Sequence, residues 1–251
     1  MNSIVVSSII FVSVFAAALV GMAVRRVVPD DHVESDAKEV IRLATGLIAT
    51  MAALVLGMLI SSAKSSYDAR KNEVAEMSSE IVAIDRLLVK YGPETGPIRA
   101  EFHQTVEAGL ERIWPSQASR KFELRPGDHG EILFGKLELL APKDDRQVAE
   151  KAQIMTMVFG LRQTQWLMFL RAEQNAVPIP LLLVLVSWLA AIFVSFGLFA
   201  PPNPTVLIIL ALGAMAVSSA IFLILEMYTP FSGVLKILPT PILDALSQMG
   251  H

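Results

Sequence analysis

Cysteine is absent from this chain of 251 residues. Disulfides, zinc–thiolate sites, iron–sulfur clusters and thiol catalysis are therefore excluded. Histidine is scarce: His32, His103, His129 and His251 are all there is, which leaves little room for metal chemistry. Charge is missing over long stretches, with no Asp, Glu, Lys or Arg in residues 1–24, 43–63 or 174–225. A basic excess is missing too. Residues 62–176 hold 16 of the 21 basic and 17 of the 24 acidic residues, and a nucleic-acid surface needs a clear surplus of Lys and Arg. No nucleophile–base pair, phosphate loop or ligand-spaced set of His, Asp and Glu stands in the sequence. The nearest approach is His103 between Glu101 and Glu107, where only Glu107 shares its helical face; this reads as a charged surface row before it reads as a metal site. The expectation is a protein that is not an enzyme and uses no metal and no cofactor.

What is present is apolar length. Hydrophobic residues make up 53% of the chain and charged ones 18%, and the mean hydropathy is +0.54. Those values belong to an integral membrane protein. Asn2–Val24 is long enough to cross a bilayer, which takes about 20 residues, and Arg25 and Arg26 end it. The rival reading, a cleaved signal peptide, is weakened because no Lys or Arg precedes the apolar run. The connector 27–42 begins with Pro29 and carries Asp30, Asp31, Glu34, Asp36 and Glu39. It lacks calcium-loop spacing and reads as a solvated loop leading into a helix capped by Asp36.

The second span, Leu43–Ala63, carries small residues at every fourth position: Ala49, Ala53, Gly57 and Ser61. Such a stripe admits another helix closely. It serves either packing inside one chain or a pathway around a symmetry axis. No breaker follows. Tyr67, Val74, Met77, Ile81, Ile84, Leu88 and Tyr91 form a heptad stripe that Gly92-Pro93 ends. A helix from near Asp36 to Tyr91 is about 84 Å long at 1.5 Å per residue, of which about 30 Å is hydrocarbon; the rest projects as a stalk.

A helix from Pro97 shows Ile98, Phe102, Val106, Leu110 and Ile113 on one face. A turn-rich loop, 115–130, precedes a short helix near 131–140. Asp144 and Asp145 open another long helix, on which Val148, Ala152, Met155, Phe159, Arg162, Trp166 and Phe169 make a second heptad stripe. This stripe is expected to pack antiparallel against 67–91, with Arg162 pairing Asp68 or Glu73 or turning to the edge. The uncharged 174–225 divides at Pro201-Pro202-Asn203-Pro204 into spans near 178–199 and 205–226. Glu226 closes the last span, where an acid is either functional or an interfacial cap. The tail has an apolar face of Phe231, Leu235, Leu238, Ile242 and Leu246 and lies on the membrane surface or on the stalk.

The predicted fold is thus all-α: four transmembrane helices with a coiled-coil-like helical stalk between spans two and three. Its segments are 1–63 (spans one and two), 64–173 (stalk), 174–228 (membrane hairpin) and 229–251 (amphipathic tail). Four spans put both termini and the stalk on one side. That side carries Lys64, Arg70, Lys71, Arg162, Arg171 and Lys236 near the membrane, against Arg25, Arg26, Lys38 and Arg42 opposite. Six against four favours a cytoplasmic stalk, although Arg25-Arg26 argues the other way.

Three stretches carry a resemblance. They are Ser65-Ser66-Tyr67-Asp68-x-Arg70-x-x-Glu73-Val74 running on to Leu87-Leu88-x-x-Tyr91-Gly92-Pro93-Glu94, then Ser195-Phe196-Gly197-Leu198-Phe199-Ala200-Pro201-x-Asn203-x-Thr205-Val206, and Phe222-Leu223-Ile224-Leu225-Glu226-Met227-x-x-Pro230-Phe231-x-Gly233. Together they resemble the bestrophin-like family of bacterial membrane proteins. Members often carry an acid two residues after the Glu226 position, where this chain has Tyr228. The resemblance implies a multi-pass protein of a bacterial inner membrane, homo-oligomeric (a pentamer by analogy), with span two lining a pore. It also singles out Tyr67, Asp68, Arg70 and Glu73 at the junction of membrane and stalk. No acidic calcium clasp can be matched, so calcium gating is not implied. The function expected is an oligomeric channel for anions such as chloride. The alternative is a non-conducting scaffold or sensor whose stalk binds a partner protein, and an apolar patch left exposed on the stalk would favour it. Expected partners are membrane lipid, further copies of the chain and an ion such as chloride, with no nucleic acid.

Overall fold

The computed structural model describes residues 2–27, 35–115, 129–174, 178–201 and 203–249. Most of the acidic connector, with Pro29, Asp30, Asp31 and Glu34, lies outside the described residues. So do His32, His251, Pro202 and most of the 115–130 loop. The described residues are helical throughout: α1 (Ser3–Arg25), α2 (Ser35–Tyr91), α3 (Gly96–Ile113), α4 (His129–Glu138), α5 (Asp145–Gln174), α6 (Ile179–Phe199), α7 (Pro204–Met227) and α8 (Thr240–Met249), with a 3-10 turn at Pro93–Thr95. Four of these helices are long and apolar enough to cross a membrane: α1, α2 over Lys38–Tyr91, α6 and α7. The chain divides into two compact units, each described by itself. One comprises residues 1–67 and 177–229; the other comprises 68–176 and 230–251. Helix α2 belongs to both, and the division falls between Tyr67 and Asp68.

The membrane unit is built on α1, which packs against both α6 and α7. Val14 and Ala18 of α1 are fully enclosed with Leu185 of α6 and Ala214 and Ile221 of α7. The closest approach is a reciprocal glycine crossing. A Cβ on Gly21 would stand 2.1 Å from the Val194 carbonyl oxygen, and one on Gly197 would stand 2.0 Å from the Ala18 carbonyl oxygen. Both obstacles are backbone atoms, so neither position admits even alanine without moving a helix. At the other end of α1, Ser218 of α7 donates to the Ser7 carbonyl oxygen at 2.5 Å. Local signals set the helix starts: the Asn2 and Asn203 side chains accept from the Ile4 and Thr205 amides, and Pro204 occupies the first turn of α7, where its missing N–H costs nothing.

The helical unit is an antiparallel pairing of the far part of α2 with α5, closed by α3, α4 and α8. Arg70 Nη1 reaches the Met168 carbonyl oxygen at 3.3 Å near one end. At the other end Gln147 Nε2 donates to the Tyr91 carbonyl oxygen at 3.1 Å, and Lys90 Nζ pairs with Glu150 at 3.2 Å. The α2 stripe is enclosed as the heptad pattern requires: Val74, Met77, Ile81, Ile84, Leu88 and Tyr91 are all buried. The α5 stripe is a correction. Val148, Phe159 and Trp166 are 54%, 62% and 45% exposed, and the side chain of Phe169 lies outside the described set. The buried face of α5 is Gln147, Glu150, Ile154, Val158 and Met168. It includes polar residues because those residues hydrogen-bond the end of α2. Of the two outcomes expected of Arg162, pairing with Asp68 or Glu73 or turning to the edge, the structure takes the edge: its Nη2 lies 3.8 Å from Glu131 Oε1. The buried arginine is instead Arg70, paired with Glu73 at 3.2 Å.

Gly92 ends α2 with φ at +143°, a conformation side-chain-bearing residues rarely adopt. Thr95 then folds back, its hydroxyl donating to the Leu88 carbonyl oxygen at 2.6 Å. The tail packs within this unit. Ser78 donates to the Pro241 carbonyl oxygen, Trp114 Nε1 to that of Ile237 at 2.8 Å, and Arg99 to that of Met249 at 3.1 Å while also forking onto Asp85. Of the expected tail stripe, Phe231 and Ile242 are buried and Leu238 is exposed.

Two predictions arise from these joints. Gly197→Ala should lower the stability of the membrane unit by about 1–3 kcal/mol, the usual cost of overpacking, whereas Gly57→Ala, which meets nothing within 4 Å, should not; thermal unfolding in nanodiscs compares them. The second concerns acid. The backbone N–H of Glu94, the Lys143 ammonium and Gln147 hold the Glu94 carboxyl at about 2, below its ordinary 4.5. A depressed carboxyl contributes stability in full above about 4.5 and loses it as the pH falls towards about 2. Glu94→Gln should therefore flatten the fall in stability across that window, read by unfolding at a series of pH values.

Candidate functional site

Helices α1, α2, α6 and α7 enclose a cleft of about 940 Å³ at one end of the membrane unit. Arg25 closes α1, and Lys38 and Arg42 lie in the first turns of α2; all three line it, and no acidic side chain does so among the described residues. The cleft sits where it does because of the glycine crossing. One turn beyond Gly21 the chain reaches Arg25, and three residues beyond Gly197 it reaches Ala200. Arg25 Nη1 stands 3.5 Å from the Ala200 carbonyl oxygen. Further along α2, Thr45 Oγ1 and Ser195 Oγ of α6 share a hydrogen bond of 2.9 Å. Apolar residues, Phe196, Phe199 and Ile209 among them, complete the walls. Three basic side chains and two hydroxyls thus share one cleft among the described residues.

The span-two stripe lies on the same helix as Lys38, Arg42 and Thr45. Ala49 lines the cleft and is half-buried; Ala53, Gly57 and Ser61 are exposed. Only 11% of the apolar window of α2 is buried. At Gly57 the stripe is open: a Cβ there would meet nothing within 4 Å. The close small-residue packing inside the chain occurs at Gly21 and Gly197 instead. Gly21 does end a small-residue repeat, Ser13, Ala17 and Gly21, which sequence reasoning did not single out.

The other residues singled out lie elsewhere. Glu226 is buried in the last turn of α7, at the end of the membrane unit away from the cleft, and its carbonyl oxygen accepts from the Thr229 amide at 3.0 Å. Tyr67 lies beneath Lys64, whose ammonium stands 5.8 Å from the ring centre. Arg70 and Glu73 pin α2 to α5, a structural role. His103 Nδ1 lies 3.6 Å from Glu107 on an open face, and no three metal-ligating side chains converge among the described residues. The basic cluster escaped sequence reasoning because Arg25 is separated from Lys38 and Arg42 by the connector. Its one signal was that these charges flank two apolar runs on the same side.

No curated protein and no solved structure matches the chain. A family model does: that of the Bestrophin-like domain, over residues 11–242. That match runs from within α1 to the start of α8, across the basic cleft and most of the helical unit, and the chain belongs to the bestrophin-like family of membrane proteins.

Proposed function

We propose that this protein is a homo-oligomeric anion channel, with chloride as the reference ion and α2 lining the path. The observation that carries the reading is the basic cleft. Arg25, Lys38 and Arg42 meet at one mouth of the membrane unit with no acid among the described lining residues. Such a mouth raises the local concentration of anions. Beyond it, α2 presents small and hydroxyl side chains, Ala53, Gly57 and Ser61, that are exposed among the described residues. Several copies placing this face around one axis would form a narrow, weakly polar path, which conducts without binding the ion tightly. The reading needs no catalytic group and no cofactor. It puts the termini and the helical unit on the cytoplasmic side of a bacterial inner membrane and the basic mouth outside. The three basic residues on the outer side then gather ions rather than set topology.

Oligomerisation has its own support. The α5 heptad pattern of Val148, Met155 and Phe159 describes a helix that packs along one seam, yet in the single chain Val148 and Phe159 are exposed and Met155 is half-buried. In a unit outside the membrane, an apolar seam calls for a covering surface. A second copy is the occupant favoured here. The same exposed seam also favours the second reading, a scaffold whose helical unit docks another protein.

Two measurements separate these readings. In liposomes with chloride and potassium gradients tested separately, Lys38→Glu with Arg42→Glu should cut chloride flux at least roughly fivefold; Gly57→Leu should block it. No flux of either ion from a correctly inserted oligomer would sink the channel reading. Met155→Glu with Phe159→Glu should disperse the oligomer without unfolding the chain, as read by native mass spectrometry. An unchanged mass would return the seam to the scaffold reading.

A further inference from the structure

The basic cleft of the membrane unit is far larger than a small ion. Its volume, about 940 Å³, lies within the roughly 300–1,000 Å³ that encloses an organic ligand. One face of α2 supplies two of its charges. Lys38, Arg42, Thr45 and Ala49 recur at helical spacing, so they stack along one side of the helix. Thr45 is fastened to Ser195 of α6 by their shared hydrogen bond. That bond turns this side of α2 toward α6 and sets Arg42 and Lys38 on the same side, nearer the helix start. Arg25 enters from α1 and reaches the Ala200 carbonyl oxygen, which leaves most of its guanidinium donors available. The rest of the cleft is apolar. Phe196 and Ile209 line it and are 48% and 62% exposed, on helices apolar enough to cross a membrane. Basic side chains at the ends of the spans and apolar side chains within them thus meet in one cleft.

We propose that this cleft binds an anionic phospholipid, its phosphate held by Arg25, Lys38 and Arg42 and an acyl chain laid against Phe196 and Ile209. Charge complementarity selects the headgroup. No acidic side chain lines the cleft among the described residues, so a zwitterionic headgroup sets its own cation against three others. Phosphatidylglycerol brings only the negative phosphate. Basic pockets between spans at headgroup level suit such lipids, and a guanidinium fork matches phosphate oxygens. The apolar wall selects a lipid over a free phosphate, because an acyl chain covers the exposed side chains beside the charges. The site goes beyond the channel reading: it needs the cleft and not conduction, and in a conducting oligomer lipid and ion draw on the same three charges.

The test is native mass spectrometry of the full chain in a neutral detergent. It is titrated with phosphatidylglycerol, with phosphatidylcholine and with glycerophosphoglycerol, the headgroup without its chains. Phosphatidylglycerol should bind saturably and roughly tenfold or more tightly than phosphatidylcholine. Lys38→Gln with Arg42→Gln, both exposed positions, should weaken phosphatidylglycerol roughly tenfold or more, the value of two basic residues at an anionic lipid surface, and leave phosphatidylcholine unchanged. Arg26→Gln should change neither, because Arg26 stands beside Arg25 but does not line the cleft. Gly46→Leu should weaken both lipids: Gly46 lies one turn beyond Arg42 and lines the cleft, and a Cβ there meets nothing within 4 Å, so the new side chain takes up cleft space without moving a helix. Thermal unfolding verifies that each variant is folded. Equal binding of the two lipids would overturn the proposal. So would phosphatidylglycerol binding that survives the paired change, or that falls as far with Arg26→Gln, the mark of general surface charge. Displacement of the lipid by glycerophosphoglycerol at matching concentration would make this a site for a soluble phosphate and overturn it as well. No arm reads ion flux, so the lipid site and the channel reading stand or fall separately.

Discussion

The membrane unit depends on the contact between Gly21 and Gly197. In lipid there is little hydrophobic drive for one helix to seek another, so close packing and hydrogen bonds must hold the spans together. Here α1 and α6 approach until each glycine meets the carbonyl oxygen of the facing backbone. That approach sets the depth of both helices. It carries Arg25 to the turn between α6 and α7 and brings Ala200 to meet it. The cleft, its charge and its pair of hydroxyls are consequences of where two side chains are missing.

The helical unit is held by a different physics. Its seam along α2 is apolar, but its ends are fastened by polar groups taken out of water in pairs: Arg70 with Glu73 and the Met168 carbonyl, Gln147 with the Tyr91 carbonyl, Arg99 with Asp85. Buried polar groups are costly unless partnered, so these pairs are sensitive to register in a way that an apolar seam is not. Several motif residues turn out to be joints. Gly92 and Glu94 turn the chain out of α2, Gly197 admits α1, Asn203 starts α7, and Phe231 packs edge-on against Trp114 at 5.5 Å. A shared fold explains their presence without any appeal to conduction.

The clearest failure of sequence reasoning, on α5, is informative. Counting apolar residues at heptad spacing selected Val148, Met155 and Phe159. The structure buries the neighbouring face, where Gln147 and Glu150 near the start of the helix are followed by Ile154, Val158 and Met168. Hydropathy ranks a glutamine below a valine, yet the glutamine is enclosed because the carbonyl at the end of α2 needs a donor. On α2 the same counting succeeded for the apolar seam from Val74 to Tyr91, although Arg70 and Asp85 are enclosed beside it with their partners.

The sequence by itself determined the four spans, the unbroken passage of span two into the stalk and the boundaries of nearly every helix. These follow from local rules: the length of an uncharged run, the placing of Pro and Gly, and capping by Asn and Asp. It also determined the family, through motifs that are short and contiguous. Only the tertiary structure decided which face of α5 is enclosed, that the span-two stripe is uncovered while Gly21 and Gly197 meet, and that Arg25, Lys38 and Arg42 share one mouth. Each of these depends on which residues distant in the chain become neighbours, and no periodicity within a single segment encodes that.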